Sequence, residues 1–538
     1  MYRPVVKAEH GTTRATALAG MQSILLGFDH IGTPAERADL LGFAIHRTDR
    51  TSDESWWLSG QIRFKGDPGD FGEDVPTNRA PLQKFHWGDY TAKAGHEYVY
   101  RVHAVHGTPD APTLADPVVL TVQAASNRPP AIGVHFNRGV TASRAYRLRF
   151  GDVPPDEVAD GAAYSWLSRG LQEALLAFVG AAKAGDELKV AIYEFEHESV
   201  VAALAAAKAR GVAIRLVYHA RPGDGQTDEN ALHVSTLALP PAAVRLRTRV
   251  PNISHNKFVL HLRGGLPVRV WTGSTNFTES GFFLQTNVGL VFPTKPVATA
   301  YNAYFELLWR DLAKTAMHKE VDALVASLPS SATSALLFAP ESGTQILTRS
   351  CELVAGARQA IFISCPFGLD AVIANSLNAN GTSVLEYGLV NTTSRKRLLE
   401  IIDRSPNAWY ATPAWLREYD GALWDAHAYG NHKIHVKSIV TDPWSARAQV
   451  LIGSANFSDE SARLNDENSL YKTGDRRLAA IVATEFLRMF DHYKFRDYVQ
   501  RAKVSTAERY LVPNGSWTSP YYDPAKPKFL ERVVFAQS

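Results

Sequence analysis

Cysteine is nearly missing from this chain: Cys351 and Cys365 are the only two in 538 residues. Cys365 ends the apolar, strand-like run Ala360-Ile361-Phe362-Ile363-Ser364, so the pair reads as core thiols of a reducing compartment, ahead of a disulfide or a metal site. Long apolar runs are missing too, and no stretch approaches the roughly 20 residues that a transmembrane helix needs. The opening segment from Met1 to Gly20 carries basic residues. It has no apolar core of signal-peptide length followed by a small-residue cleavage site, so export by the usual route is not indicated and a cytoplasmic location is expected. A net charge of +3 neither requires nor excludes a nucleic-acid partner. Two catalytic signatures are absent as well, the Gly-x-Ser-x-Gly nucleophile elbow and the Gly-rich loop of NTPases.

What is present is ordinary globular composition, 45% hydrophobic and 21% charged, in a chain too long for one core. Up to about residue 130 the pattern alternates with a period of two, as in Leu41-Gly42-Phe43-Ala44-Ile45 and Tyr98 to Val105, with Gly/Pro/Asp clusters between the runs. That pattern predicts an antiparallel β-sandwich over residues 1–130. The stretch from His96 to Gln123 resembles the closing strands of a fibronectin type III domain, and Asn127-Arg128-Pro129-Pro130 reads as the linker that follows.

Further along, strands alternate with helices. Leu188 to Tyr193 reads as a strand, Glu198 to Arg210 as a helix stopped by Gly211, and Val212 to Val217 as the next strand. This βαβ unit implies a parallel pair covered by helices. A related arrangement recurs from Leu353 to Val390, which divides the remainder into halves at 131–330 and 331–538.

Two segments make the repeat concrete. His255-Asn256-Lys257 leads to Gly273-Ser274-Thr275-Asn276, and His435-Val436-Lys437 leads to Gly453-Ser454-Ala455-Asn456, all at one constant offset. At the same offset Asn287 falls opposite Glu467. Alternation in His-x-Lys puts both side chains on one face of a strand, where two cations want an anion. The Gly-Ser-x-Asn turn is expected to bring backbone N–H groups, a hydroxyl and an amide to the same place, with Ser274, Ser454 and Asn287 at the substrate.

These paired motifs resemble the phospholipase D superfamily, over roughly residues 160 to 500. The second copy fits in full, Asp442 included, whereas the first has Leu262 where that Asp would stand. Tyrosyl-DNA phosphodiesterases resemble this chain in lacking the Asp, so Asp442 is expected to be a supporting residue. The resemblance implies an α/β fold of two pseudo-symmetric αβα sandwich halves behind the N-terminal β-sandwich. It also implies His255 as nucleophile, His435 as general acid and then base, and a phosphohistidine intermediate. In that scheme Glu467 orients His255, Asn287 orients His435, and Lys257, Lys437, Asn276 and Asn456 hold the non-bridging oxygens.

No metal or other cofactor is required by this chemistry, because His-x-Lys is poor metal-ligand spacing. The expected substrate is a phosphodiester, with a phospholipid first. A nuclease or nucleotide phosphodiesterase is the alternative, and a decayed binding protein the second alternative. Both motifs lie on one chain, so a monomer suffices. Outside the motifs, His261 reads as a satisfied strand residue before a substrate contact, and His432-Lys433 as a solvated turn before an anion site. The aromatic segment from Trp409 to Tyr429 reads equally as a lid over the site or as packing.

Overall fold

The computed structural model describes residues 2–69, 73–329, 334–391, 406–419, 422–430, 433–502 and 510–537. The N-terminal part is two antiparallel sheets. One joins Val5–His10, Thr13–Ala19, Ile24–His30 and His86–Asp89; the other is built on Leu40–Asp49 and Glu97–Thr108, with Glu54–Trp57, Ala111–Leu114 and Val118–Gln123. Alternate residues of both sheets, among them Ala17, Leu26, Phe28, Phe43, Ile45, Tyr100 and Leu120, meet in one core. The runs of period two at Leu41 to Ile45 and Tyr98 to Val105 lie inside the two longest of these strands.

Two seven-stranded sheets follow, and they have the same strand order. The first runs Gly133–Phe136, Val288–Phe292, Leu266–Gly273, Lys257–Arg263, Glu187–Ile192, Ala213–His219, Val244–Arg247. The second runs Ser334–Ala339, Glu467–Thr473, Gln449–Gly453, Lys437–Thr441, Ala360–Ser364, Leu385–Leu389, Ala408–Ala411. In each, the last three strands are parallel and the His-x-Lys strand pairs antiparallel to the first of them. The βαβ unit is as the pattern required: Glu187–Ile192, the helix Glu198–Ala209, then Ala213–His219 in parallel register. Gly211 ends that helix at φ 87°, a left-handed conformation in which glycine has no Cβ to strain.

The sheets face each other across a shared apolar layer. Helix Lys295–Trp309 contributes Tyr301, Tyr304 and Phe305, and the long helix Arg476–Ala502 contributes Ile481, Phe486 and Phe490. Separate cores lie on the outer side of each sheet. The fold is thus two pseudo-symmetric αβα halves preceded by an antiparallel β-sandwich.

The end of the chain returns to the sandwich. Tyr510–Leu511 pairs with Arg63–Phe64. Trp517 and Tyr521 enter the sandwich core, and Arg532 meets the buried Asp29 at 2.7 Å. Among the described residues no helix is long and apolar enough to cross a membrane.

Candidate active site

The two His-x-Lys segments come together at the seam between the halves, and short backbone pairings explain how. Gln285–Thr286 of the first half runs parallel to Lys433–Ile434 of the second, and the His435 N–H donates to the Thr286 carbonyl at 3.1 Å. Ser254 forms the matching bridge with Asp466, whose N–H donates to the Ile253 carbonyl at 3.1 Å. Each histidine therefore lies beside the residue that follows the partner strand in the other half: Asn287 for His435, Glu467 for His255.

Side chains complete this crossed arrangement. The His255 Nδ1 donates to both Glu467 oxygens at 2.9 Å. A carboxylate can only accept, so the ring proton sits on Nδ1 and Nε2 keeps its lone pair. The His435 Nδ1 is 2.9 Å from Asn287 Oδ1. The Asn287 amide is oriented by its Nδ2, which donates to the Gly281 carbonyl at 2.9 Å, so Oδ1 accepts and His435 takes the same tautomer. The two rings stand 6.4 Å apart, centroid to centroid.

Both glycines of the Gly-Ser turns are obligatory. A Cβ on Gly273 would sit 2.1 Å from the Val288 carbonyl oxygen, and one on Gly453 would sit 2.3 Å from that of Asn468. The turn serines bond to the bracing residues. Ser274 Oγ donates to Asn287 Oδ1 at 2.8 Å and Ser454 Oγ to Glu467 Oε2 at 2.7 Å, while their N–H groups complete the sheet on Val288 and Asn468. Ser274 thus bonds the brace of His435, Asn287, and Ser454 the brace of His255, Glu467. Ser461 Oγ (2.9 Å) and Asn465 Nδ2 (3.3 Å) add two donors to Glu467, and neither was legible in the repeat.

Among the described residues, three buried groups of the motifs are left without a hydrogen-bond partner, one donor and two acceptors. Lys437 is fully buried, and its Nζ has no hydrogen-bond partner; the same holds for Oδ1 of Asn276 and of Asn456. Lys257 Nζ donates to the His255 carbonyl at 2.7 Å. Burial, together with Lys257 and Lys437, holds His255 well below the usual imidazole range, and burial with the same lysines does so for His435. Burial also lowers both lysines, Lys437 further because Lys257 stands beside it, while Glu467 and Glu194 pull the other way. Burial pushes Glu467 up to about 7 against the pull of Lys257 and its hydroxyl donors.

Glu194 is a site residue that the repeat could not show. It lies two positions beyond the strand Glu187–Ile192 and accepts a hydrogen bond from Asn276 Nδ2. Its position at the carboxyl end of a parallel strand, where α/β sheets bind ligands, is the signal that was available.

Asp442 is away from the histidines. At φ 48°, its carboxylate accepts the N–H groups of Arg358, Gln359 and Ala360 at 2.7 to 3.1 Å, which sets the start of the next strand. Leu262, in the equivalent place, is buried in the core between the halves. The equivalent corner is held by Asp186, which accepts from the Lys183 N–H at 3.0 Å and meets His261 at 2.8 Å. His261 is thereby a structural residue. The aromatic segment packs within the protein: Tyr410 and Trp424 are buried, and Trp415 Nε1 donates to the Ala426 carbonyl at 2.9 Å. His432 and the side chain of Tyr419 lie outside the described residues.

Residues 178–309 match the family model described as "Cardiolipin synthase, PLD-like domain". The first half is similar to a phospholipase D-like domain. The chain matches no curated protein by sequence. Among solved structures, phosphatidylserine synthase from Haemophilus influenzae Rd KW20 is 12% identical over 69% of this chain and 94% of its own, with a TM-score of 0.42. The phospholipase D family member Nuc from Salmonella typhimurium is 20% identical over 34% of this chain and 95% of its own, at 0.24. Polyphosphate kinase from Porphyromonas gingivalis is 14% identical over 61% of this chain at 0.40, and this chain spans 48% of its length.

Proposed function

We propose that this protein is a phosphodiesterase of phospholipase D type. It cleaves a phosphodiester, or transfers it to an alcohol, through a phosphohistidine on His255 and without a metal. The observation that carries this reading is the crossed bracing: each histidine receives an acceptor on Nδ1 from the opposite half, which leaves two Nε2 atoms, one to attack phosphorus and one to serve the leaving oxygen. The anionic brace is on His255 and the neutral one on His435. A carboxylate stabilises the cation that forms when an imidazole takes a phosphoryl group, which favours His255 as nucleophile; a neutral amide lets His435 gain and lose a proton. Lys257, Lys437, Asn276 and Asn456 bear the charge on the five-coordinate transition state.

A phospholipid is the first substrate to test, because the description of the matching family model points to phospholipid chemistry. The order of the N-terminal strands supports the fibronectin type III-like reading of that part. One chain carries both histidines and both braces, so a monomer is competent.

The test is release of nitrophenol from bis(p-nitrophenyl) phosphate. Wild type is expected to turn over and His255→Ala to be inactive with its fold intact by circular dichroism. Retention of a tenth of the activity would refute the role of His255. Phosphatidylcholine, phosphatidylglycerol, single-stranded DNA and RNA, offered in parallel, then rank the substrate classes.

A further inference from the structure

The geometry points to Glu194 as a positioning residue that keeps the acid histidine, His435, protonated when a phosphodiester is bound. This inference rests on the phosphodiesterase reading and deepens it. Glu194 has no counterpart in the second half. The His-x-Lys strands pair so that Ile192 lies opposite Lys257 and Ser364 opposite Ser438, which places Phe367 where Glu194 would recur. Phe367 packs its ring against His435 at 5.9 Å. The site thus has one carboxylate that its own symmetry does not require.

That carboxylate is directed at the anion site. Its partner, Asn276, is 4% exposed, gives Nδ2 to Glu194 and keeps Oδ1 without a partner. Burial pushes Glu194 up from the usual carboxyl range, Lys257 pulls it back, Glu196 on the same segment adds to the rise, and the Asn276 hydrogen bond and Lys437 lower it. His435 is faced by Lys437, Lys257, the His255 ring and the neutral Asn287.

Charge balance then assigns the role. Two lysines stand against two carboxyl groups, Glu194 and Glu467, and burial favours the neutral form of all four, so the resting site is balanced with His435 neutral. A bound diester adds one negative charge and leaves the buried site short of one proton. His435 is the group that can take it, and a protonated His435 is the acid that the leaving oxygen needs. Without the charge on Glu194, the lysines already balance Glu467 and the diester, and nothing draws the proton in. A carboxylate therefore sits where a site designed only to hold phosphate would exclude one.

The experiment compares wild type, Glu194→Gln and Glu194→Asp on bis(p-nitrophenyl) phosphate and diphenyl phosphate, each of which keeps a single fixed charge. The alkaline limb of kcat is expected to move down by about one pH unit in Glu194→Gln, the usual effect of one nearby charge, and to stay in place in Glu194→Asp. At neutral pH the loss is expected to be about tenfold on diphenyl phosphate, whose leaving group needs the acid, and smaller on the nitrophenyl ester. If Glu194→Gln fails to fold, Glu194→Ser removes the same charge and must move the same limb. A limb that is unmoved or moves upward, or equal losses on both esters, would overturn the assignment. Absence of any His255-dependent release by wild type would instead sink the phosphodiesterase reading, and this inference with it.

Discussion

Glu467→Gln tests the bracing of His255 with almost no change in shape. Glu467 is fully buried and receives four donors: His255 Nδ1 and Ser454 Oγ, with Ser461 Oγ and Asn465 Nδ2 completing the set. A glutamine keeps one acceptor oxygen and turns an NH2 toward groups that donate. The serine hydroxyls can rotate to accept, but the imidazolium of a phosphohistidine cannot. Hydrogen bonds to charged groups contribute about 1.5–3 kcal/mol, so histidine phosphorylation is expected to slow by about 10- to 150-fold. The assay is the pre-steady-state burst of nitrophenol release with substrate in excess, which isolates the first chemical step.

Stability should respond in the opposite sense. Burial raises Glu467 from 4.5 to about 7, so folding favours the protonated carboxyl. Its contribution is present in full below the ordinary carboxyl range and is lost as pH rises through about 7. Glutamine mimics the protonated form, so the melting temperature of Glu467→Gln relative to wild type should rise across that window. A burst rate within a factor of two of wild type, in a variant that melts normally, would refute the claim that Glu467 activates His255.

Two further substitutions address the unequal copies of the motif. Leu262→Asp gives the first half the residue that the second half has at Asp442, but puts a carboxylate into an apolar core whose nearest corner Asp186 already holds. It is expected to cost ~3–5 kcal/mol as an uncompensated buried charge, and urea unfolding that shows no loss, or a gain in turnover, would refute the reading of Asp186 as the substitute. Asp442→Ala removes the acceptor of three backbone N–H groups. It should lower stability by about 2–3 kcal/mol while kcat of the folded protein stays within threefold, and a collapse of kcat without loss of stability would assign Asp442 to the chemistry instead.

Much of the site could be read from the chain because it is duplicated. The constant offset joining His255 to His435, Lys257 to Lys437 and Asn287 to Glu467 reflects one strand order used twice, and a strand period of two carries His-x-Lys to one face. The crossing of the braces was legible only through the resemblance, since it depends on two-residue pairings such as Gln285–Thr286 with Lys433–Ile434, which leave no pattern. The contacts of the serines left no pattern either: a hydroxyl next to a glycine suits phosphate and a bracing acceptor equally, and the buried partner is visible only in the fold. The seat of the last helix depends on Asp29, almost the full chain away from Arg532, and the aromatic segment has the same composition whether it covers a site or fills a core. Glu194 is the instructive omission. Reading by repeats finds what the two halves share, whereas a site that must tell an attacking histidine from a protonating one needs residues that they do not share. On the proposed reading the chemistry of the pair lies in its symmetry, and the division of labour in the two places at the histidines where the symmetry fails: Glu467 against Asn287, and Glu194 against Phe367.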